Sequence, residues 1–255
     1  MGGAAPASAK QFHGRPIVSV GANQSNNWSG YNQGALEQGG KTFSAISGQW
    51  TVPTATAHKP GENEYSSTWV GIGGGCVDTG CTVGDATLIQ AGTEQDVDST
   101  GRASYSAWWE LIPAPSVPLD ATAYPVAAGG AINTAIVQTA PGVWTFTMKN
   151  LTKGWTWTMT TPYASSQDTA EWIEETPVVL DSNGNVSVGP LPKLSTVNFD
   201  LATTNGLGAG LKAAEEIQLV DFSGAVLATP SAPDSDSDGF NDCTYAGSCA
   251  APSSS

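Results

Sequence analysis

The sequence predicts an all-β protein built as a single sandwich of two sheets. Gly (30) and Pro (16) are frequent among the 255 residues, and Ser, Thr and Val abound. This composition favours many short strands joined by turns, and no segment shows the apolar spacing of a long amphipathic helix. A chain of 26.1 kDa can bury a sizeable core without metals. We find no internal repeat, so one sandwich fits better than two domains.

The first 22 residues are expected to lie outside that sandwich. We interpret residues 1–22 as a loosely held N-terminal arm or pro-segment remnant, and residues 23–255 as one β-sandwich domain. From "NWSGY" (27–31) onward the pattern indicates strands, bounded by turn residues and by a polar loop. We expect the main strands at 41–53, 67–74, 86–92, 102–113, 195–201 and 215–229.

Two hairpins are predicted in the second half of the chain. In 142–161, large apolar side chains alternate with Val and Thr on both arms around the turn "NLTKG". This period of two gives one aromatic face and one hydroxyl face. The large side chains are Trp144, Phe146, Met148, Trp155, Trp157 and Met159. A second hairpin is predicted to turn at Asn183-Gly184, between "PVVL" and "NVSV".

The charge balance excludes some classes of partner. Nine Lys and Arg face 23 Asp and Glu, which gives a net charge of −14 at pH 7. Nucleic acid and anionic membranes are therefore not expected as partners, because both attract basic surfaces. We expect a monomer. The unpaired carboxylates should repel one another at neutral pH and less in acid, although an ordinary acidic surface serves solubility too.

The cysteines indicate an oxidising compartment. Four cysteines allow three pairings, and their short separations favour Cys76–Cys81 and Cys243–Cys249. Neither pair has a histidine nearby, which argues against zinc. No segment has the length of a membrane span, and the start of the chain lacks the apolar core of a signal peptide. We therefore expect a secreted, extracellular protein in a mature or trimmed form.

An acidic segment near the end of the chain has two interpretations. "DSDSDGFND" places Asp234, Asp236, Asp238 and Asp242 around Gly239, as at the start of a calcium loop. The twelfth position, where such a loop needs Glu, is Tyr245, and no flanking helices are apparent. A solvated acidic turn before a short final strand is the favoured interpretation, and no metal site is assigned.

Three polar residues interrupt otherwise apolar strands. Alternation places Gln90 with Leu88 and Gly92, Glu110 with Trp108, and Glu171 with Ile173. Taken alone, each of the three is better interpreted as a satisfied polar residue at a strand edge. The chain has no G-x-S-x-G, H-E-x-x-H, P-loop or dinucleotide motif near its two histidines or elsewhere. Carboxylates, amides and nine tryptophans remain as the candidate functional groups of a site.

Six short segments resemble one family when taken in order. "NWSGY", "GQWTVP", "STWVGI", "LIQAG", "SYSAWWELIP" and "TAEWIEE" resemble the glutamic peptidases (eqolisins), and the bacterial members more than the fungal ones. The resemblance covers roughly residues 27–230. It implies a concanavalin-like sandwich of two large antiparallel sheets and an acid-acting endopeptidase. "GGGCVDTGC" (73–81) looks like an insertion into this pattern.

The resemblance also implies which residues act. The family's catalytic Gln and Glu correspond to Gln90 and Glu171, Trp69 to a cleft tryptophan, and Glu110 to a cleft acid. We assign Trp69, Glu110 and Trp108 to substrate binding, with protein or peptide substrates and no cofactor. In this scheme Glu171 takes a proton from water and later delivers it to the leaving amine, and Gln90 stabilises the oxyanion. Trp172, beside Glu171, is expected to restrict water and shift the pKa of the carboxyl.

Two other functions remain open at this point. In a glycoside hydrolase, Glu110 and Glu171 would be the acid and the nucleophile or base, with their carboxyl groups about 5–10 Å apart. In a non-catalytic carbohydrate-binding module, Trp108, Trp155 or Trp157 would serve as stacking platforms for sugars.

Overall fold

A computed structural model describes residues 10–12, 23–180 and 186–253 of the chain. Within these ranges nearly all regular structure is β, and the single helical element is the 3-10 turn at Ala213–Glu215. The strands in chain order are β1 (Lys10–Phe12), β2 (Gln24–Ser25), β3 (Trp28–Gly34), β4 (Ala45–Thr51), β5 (Ala55–Thr56), β6 (Ser67–Gly73), β7 (Leu88–Val97), β8 (Ala103–Leu111), β9 (Val117–Pro118), β10 (Ala131–Ala140), β11 (Val143–Asn150), β12 (Trp155–Pro162), β13 (Thr169–Glu175), β14 (Val178–Leu180), β15 (Val186–Val188), β16 (Lys193–Leu194), β17 (Val197–Thr204), β18 (Leu207–Gly208), β19 (Glu216–Val220), β20 (Val226–Pro230) and β21 (Phe240–Thr244).

The long strands form two antiparallel layers. The back sheet has the order β12-β11-β10-β4-β17-β21-β20, and the site sheet has the order β3-β13-β6-β7-β8-β9. Strand β19 pairs with both β20 and β3, so it connects the two layers in one hydrogen-bonded order. The predicted all-β sandwich of two large antiparallel sheets is confirmed.

Two tryptophans link the layers across the core. Trp172 of the site sheet donates its indole N–H to the carbonyl of Ser47 at 2.9 Å, and Trp50 of the back sheet donates to the Thr93 hydroxyl at 3.0 Å. A Cβ at Gly48 would lie 2.8 Å from the Trp172 ring, so glycine allows this close approach. Both indoles are fully buried. Burying a large apolar side chain stabilises the fold by roughly 1.5–3 kcal/mol, and the indole hydrogen bonds fix how the sheets pack.

The structure shortens some predicted strands and adds one. The predicted strand 41–53 spans only Ala45–Thr51, because the backbone N–H of Phe43 bonds to Gln167 in a loop instead of to a neighbouring strand. The prediction missed Ala131–Ala140, which pairs with both β4 and β11. Its buried Ile132 and Ile136 do follow a period of two, but Ala, Thr and Asn between them dilute the pattern.

The first hairpin is confirmed in detail. Val143–Asn150 and Trp155–Pro162 pair antiparallel, and Trp144, Phe146 and Met148 are buried between the layers. The arms of the second hairpin, Val178–Leu180 and Val186–Val188, also pair, while the predicted Asn183-Gly184 turn lies outside the described residues.

The N-terminal segment contributes one described strand. Lys10–Phe12 pairs antiparallel with Val178–Leu180, and residues 1–9 and 13–22 lie outside the described part of the chain. The division at residue 22 therefore stays a prediction. Both predicted disulfides, Cys76–Cys81 and Cys243–Cys249, are present. No helix in the described ranges is long and apolar enough to cross a membrane.

Candidate active site

One row of side chains crosses five neighbouring strands on the outer face of the site sheet. Directly paired positions place Asn32 of β3, Glu171 of β13, Gly71 of β6, Gln90 of β7 and Glu110 of β8 in register. Paired residues of antiparallel strands project their side chains to the same face. We call these five residues the central row. The alternation in the sequence correctly predicted that Gln90, Glu110 and Glu171 share this face with their apolar neighbours.

Gly71 separates the two predicted catalytic residues. With neighbouring strands about 4.8 Å apart, the backbones of Glu171 and Gln90 are roughly 10 Å apart, a distance that two long side chains can bridge from either side. A Cβ at Gly71 would lie 3.2 Å from the Gln90 Cβ and 2.9 Å from the Trp69 ring. Glycine at position 71 therefore lets the Trp69 ring and the Gln90 side chain pack closely over the β6 backbone between the carboxyl and the amide.

Glu110 fixes the orientation of the Gln90 amide. The Gln90 Nε2 donates to Glu110 Oε2 at 2.8 Å, and both side chains are fully buried. Because the amide nitrogen points towards Glu110, the carbonyl oxygen at the other corner of the planar amide points away from that hydrogen bond. The nitrogen carries a second hydrogen, so it can in principle donate to a ligand at the same time.

Glu171 lies in a dry environment. The residue is fully buried, and this desolvation raises the pKa of its carboxyl well above the usual value. Asp85 raises that pKa further, while the Thr169 hydroxyl and the Gly75 N–H favour the charged form and oppose the shift. Neither carboxylate oxygen makes a hydrogen bond of good geometry with the described residues. The Thr169 hydroxyl and the Gly75 N–H thus lie near the carboxyl without forming a hydrogen bond of good geometry to it.

The expected role of Trp172 is wrong. Trp172 follows Glu171 in the strand, so its side chain projects to the opposite face, into the core, where it bonds to Ser47. The tryptophans on the face of Glu171 are Trp28, Trp69 and Trp108, which pack in a separate apolar cluster with Leu88, Ile173 and Ile217.

Trp69 and Trp108 form the next row on the same face. The ladder places Ile173, Trp69, Gly92 and Trp108 in register beside the central row. Trp69 donates to Glu175 Oε2 at 2.9 Å, and Trp108 donates to the Ser67 hydroxyl at 2.9 Å. A Cβ at Gly92 would lie 2.4 Å from the Trp69 Cβ, so this position requires glycine. All five predicted site residues thus lie on one face of one sheet.

Several residues of this face were not predicted from the sequence. Asn32, Gly71, Thr169 and Gly75 all surround Glu171, and Glu175 anchors Trp69. Asn32 and Gly71 are recognisable only when the strand order is known, because β13 pairs with two strands that are distant in sequence. The three consecutive glycines at 73–75 were the one local signal of close backbone approach.

The aspartates near the end of the chain do not all lie in one cluster. Carboxylate oxygens of Asp234 and Asp238 cluster within 4.8 Å with Asp200, which comes from β17. Burial and the neighbouring carboxylates raise the pKa of Asp238 to about 6. Asp242 instead lies in the final strand, fully buried, with burial raising its pKa to about 7.

A family match covers most of this architecture. Residues 26–239 match the model of the Peptidase A4 family. The chain belongs to the Peptidase A4 family. The matched residues include the whole central row, and the match confirms both the glutamic peptidase (eqolisin) resemblance and the prediction of a glutamic endopeptidase. No curated protein sequence matches the chain.

Solved structures share the fold at low sequence identity. Scytalido-glutamic peptidase with a peptide-based transition state analog is 20% identical with a TM-score of 0.63, covering 86% of this chain and 98% of that one. SCP-B, an eqolisin in complex with the tripeptide Ala-Ile-His, is 18% identical with a TM-score of 0.59, covering 86% and 98%. Aspergilloglutamic peptidase from Aspergillus niger is 24% identical with a TM-score of 0.55, covering 71% and 99%.

Proposed function

We propose that this peptidase is an acid-acting enzyme whose catalytic pair is Glu171 and Gln90. The observation that carries the proposal is the position of the carboxyl and the amide on either side of Gly71, a residue that contributes no side chain of its own to the row. A water molecule or a peptide carbonyl that contacts both groups must lie over Gly71, between them. Similar folds bind a peptide-based transition state analog in scytalido-glutamic peptidase and a tripeptide in SCP-B, which supports a peptide in this cleft.

The proposed reaction uses one proton carrier. Ionised Glu171 removes a proton from water, and the resulting hydroxide attacks the peptide carbonyl carbon. The amide N–H of Gln90 donates to the oxyanion that forms, and its orientation is set by Glu110. Glu171 then returns the proton to the leaving nitrogen as the C–N bond breaks, so the carboxylate is regenerated.

Burial decides the pH range of this scheme. Since the base must be ionised, activity should rise with pH through the raised pKa of Glu171. On the alkaline side the buried core carboxyl of Asp242, whose pKa is about 7, loses its proton and the fold loses stability. The enzyme should therefore work on the acid side of neutrality.

Substrate binding is assigned to the residues beside the pair. Trp69 and Trp108 lie in the neighbouring row on the same face, and Glu110 lies on the far side of Gln90. We also propose a secreted, extracellular enzyme that acts as a monomer, on the basis of the two disulfides and the acidic composition.

The two alternatives fit the site less well. Glu110 and Glu171 are separated by three strand spacings, roughly 14 Å between backbones, and Gln90 occupies a position between them, where a glycosidase needs the sugar. Trp155 and Trp157, two of the three candidate sugar platforms, lie in the back sheet, away from the central row.

One comparison tests the proposed substrate class. Digestion of casein or haemoglobin at pH 3–6 is measured beside release of reducing sugar from glucans over the same range. We expect proteolysis and no sugar release, and proteolysis that is lost in Gln90→Ala. Sugar release that depends on Glu110 but not on Gln90 would overturn the proposal in favour of a glycosidase.

A further inference from the structure

A disulfide-closed loop lies directly on Glu171. We call residues 74–85 the disulfide loop; its root at 74–77 is buried, and its tip, which holds Cys81, reaches solvent. An added Cβ at Gly75 would lie 2.6 Å from Glu171 Oε1 and 1.6 Å from Asn32 Oδ1. The backbone of the loop root is therefore in contact with the carboxyl, with no room for a side chain between them.

Asn32 holds this root in place. Its Nδ2 donates to the carbonyl of Cys76 at 2.9 Å, and its Oδ1 accepts from the Cys76 N–H at 3.1 Å. Asn32 is also the residue directly opposite Glu171 in the β3–β13 ladder. The Gly75 N–H donates to the Thr169 hydroxyl at 3.2 Å, so the root is attached on both sides of the carboxyl.

The rest of the loop resists displacement of its root. The Asp85 N–H donates to the Gly75 carbonyl at 2.9 Å, and the Val77 N–H donates to Val83 at 2.8 Å across the loop. The Leu36 N–H donates to the Val77 carbonyl at 3.1 Å, which ties the loop to the end of β3. The Cys76–Cys81 bridge closes the tip. These hydrogen bonds and the disulfide hold the loop in one position beside Glu171.

We propose that Asn32 is a positioning residue of the peptidase, which clamps the root of the disulfide loop onto Glu171. The clamp keeps the carboxyl dry and directs it towards Gly71 and Gln90, its neighbours in the central row. A free glutamate side chain samples many rotamers, and a catalytic group must be held to within about 0.5 Å of its productive position. An amide suits this role because it both donates to and accepts from one backbone unit. The inference rests on the proposed role of Glu171.

The first test compares two glycines of the same loop and the clamp itself. In Asn32→Ala and Gly75→Ala, kcat on a quenched peptide should fall roughly 10- to 100-fold with a smaller change in KM, since a 1 Å misplacement of a catalytic group costs up to that much. Gly84→Ala is the matched control, because its Cβ would meet only the Gly75 carbonyl oxygen at 3.9 Å. Its kcat should equal that of the wild type.

A pH profile separates positioning from general damage to the fold. Water that enters beside Glu171 lowers its raised pKa, so the acidic limb of kcat/KM should move to lower pH by about one unit in both variants. Asp85 of the loop is the carboxyl that raises the pKa of Glu171, Glu175 shares its face of β13, Glu110 lies beyond Gln90, and all three are unchanged in these variants. A smaller folded fraction would lower activity, most of all towards neutral pH where the fold is less stable, without moving the acidic limb to lower pH.

The two disulfides provide a second, independent test. Cys76→Ser/Cys81→Ser removes the bridge of the loop on Glu171, and Cys243→Ser/Cys249→Ser removes a bridge of similar sequence separation, 6 against 5. Both changes should cost similar chain entropy. Only the first should lower kcat and move the acidic limb. This pair decides the question if Asn32→Ala and Gly75→Ala fail to fold.

The outcomes distinguish the inference from the proposed function. If Glu171→Gln is inactive while folded Asn32→Ala and Gly75→Ala keep both the wild-type kcat and its acidic limb, the positioning role is wrong and the catalytic role stands. A loss of activity without movement of the acidic limb, or equal effects of the two disulfide removals on kcat, also overturns it. If Glu171→Gln is active, the proposed function itself fails.

Discussion

Glu171 and Glu174 lie on the same strand, are both fully buried, and face opposite sides of the site sheet. Burial raises the pKa of each carboxyl well above its usual value. Glu171 faces Gln90 across the space above Gly71. Glu174 faces the core, where its Oε2 accepts from the Thr68 hydroxyl at 2.6 Å and its nearest acidic neighbours are Asp242 and Glu175.

The comparison shows that a buried acid with a raised pKa does not by itself mark an active site. Desolvation costs the charged form about as much on either face. What differs is the neighbourhood: the row of Glu171 on the outer face contains the Gln90 amide and lies beside two indole rings, while the inner face carries the side chains of the main core. The acid on the outer face can act on a substrate, and the acids on the inner face act on the pH dependence of folding.

The largest expected effect concerns the inner face. Asp242 has a folded pKa of about 7, against an ordinary value of 3.8, and neither of its oxygens has a hydrogen bond of good geometry among the described residues. A raised folded pKa stabilises the protein below the unfolded value, and this stabilisation is lost progressively as pH climbs to the folded value. The window is pH 3.8 to about 7, and the loss is up to about 4 kcal/mol.

Asp242→Asn tests the direction of this pH dependence of stability. The wild type should have a higher Tm at pH 3.5 than at pH 7.5, and the variant should flatten the difference by gaining stability at pH 7.5. Asp221→Asn is the exposed control, since hydrogen bonds from Ser223 and Ala225 lower the pKa of Asp221 and give it the opposite pH dependence. A wild-type Tm that is constant, or that rises towards neutral pH, contradicts the account of the inner face.

The next largest effect is expected from a comparison of two glutamines, which lie on opposite faces of one strand. Gln90→Ala should lower kcat by about 10²–10³-fold, the usual cost of losing one oxyanion donor. Gln90→Glu should also fail, because a second carboxyl near Glu171 repels the oxyanion or competes for the proton. Gln95, buried on the inner face of β7, is the control. Gln95→Ala should lower Tm and leave kcat unchanged, and equal losses of kcat in both would remove the distinction between the faces.

The smallest effect concerns Glu110. Glu110→Gln keeps an acceptor for the Gln90 amide, so kcat/KM should fall less than about tenfold, within the net value of one hydrogen bond. Glu110→Leu removes the acceptor and should cost more. In a glycosidase, Glu110→Gln would abolish activity on sugars, so complete loss of activity in this conservative variant is evidence against the peptidase assignment of Glu110.

The sequence predicted which polar residues lie on the outer face better than it predicted how the strands bring them together. Alternation alone placed Gln90, Glu110 and Glu171 among apolar neighbours, and family resemblance grouped them in one site. Sequence could not show that Gly71 lies between Glu171 and Gln90, because that depends on β13 pairing with β6 across about 100 residues. It also gave Trp172 a role beside Glu171 because the two are adjacent in sequence, although adjacent residues of a strand project to opposite faces.

The acids of the inner face were missed for a different physical reason. Alternation correctly separates Glu174 from Glu171, but the sequence gives no sign that the other layer covers Glu174. Asp242 was read as part of an acidic surface turn, and the pairing of β21 with β17 and β20 buries it. Burial of a polar residue depends on which layer packs over it, and this is a long-range property.

The most direct test of the central claim measures kcat/KM on a quenched peptide for Glu171→Gln and Glu174→Gln, with circular dichroism and Tm as checks of folding. The two variants make the same near-isosteric change on the two faces of one strand. Glu171→Gln should lose about 10²–10⁴-fold in activity, the range for a general base, and keep its Tm in acid. Glu174→Gln should keep its activity at acid pH and gain Tm at neutral pH. Folded Glu171→Gln that retains more than a few per cent of wild-type activity, or Glu174→Gln that loses as much activity as Glu171→Gln, would contradict the account.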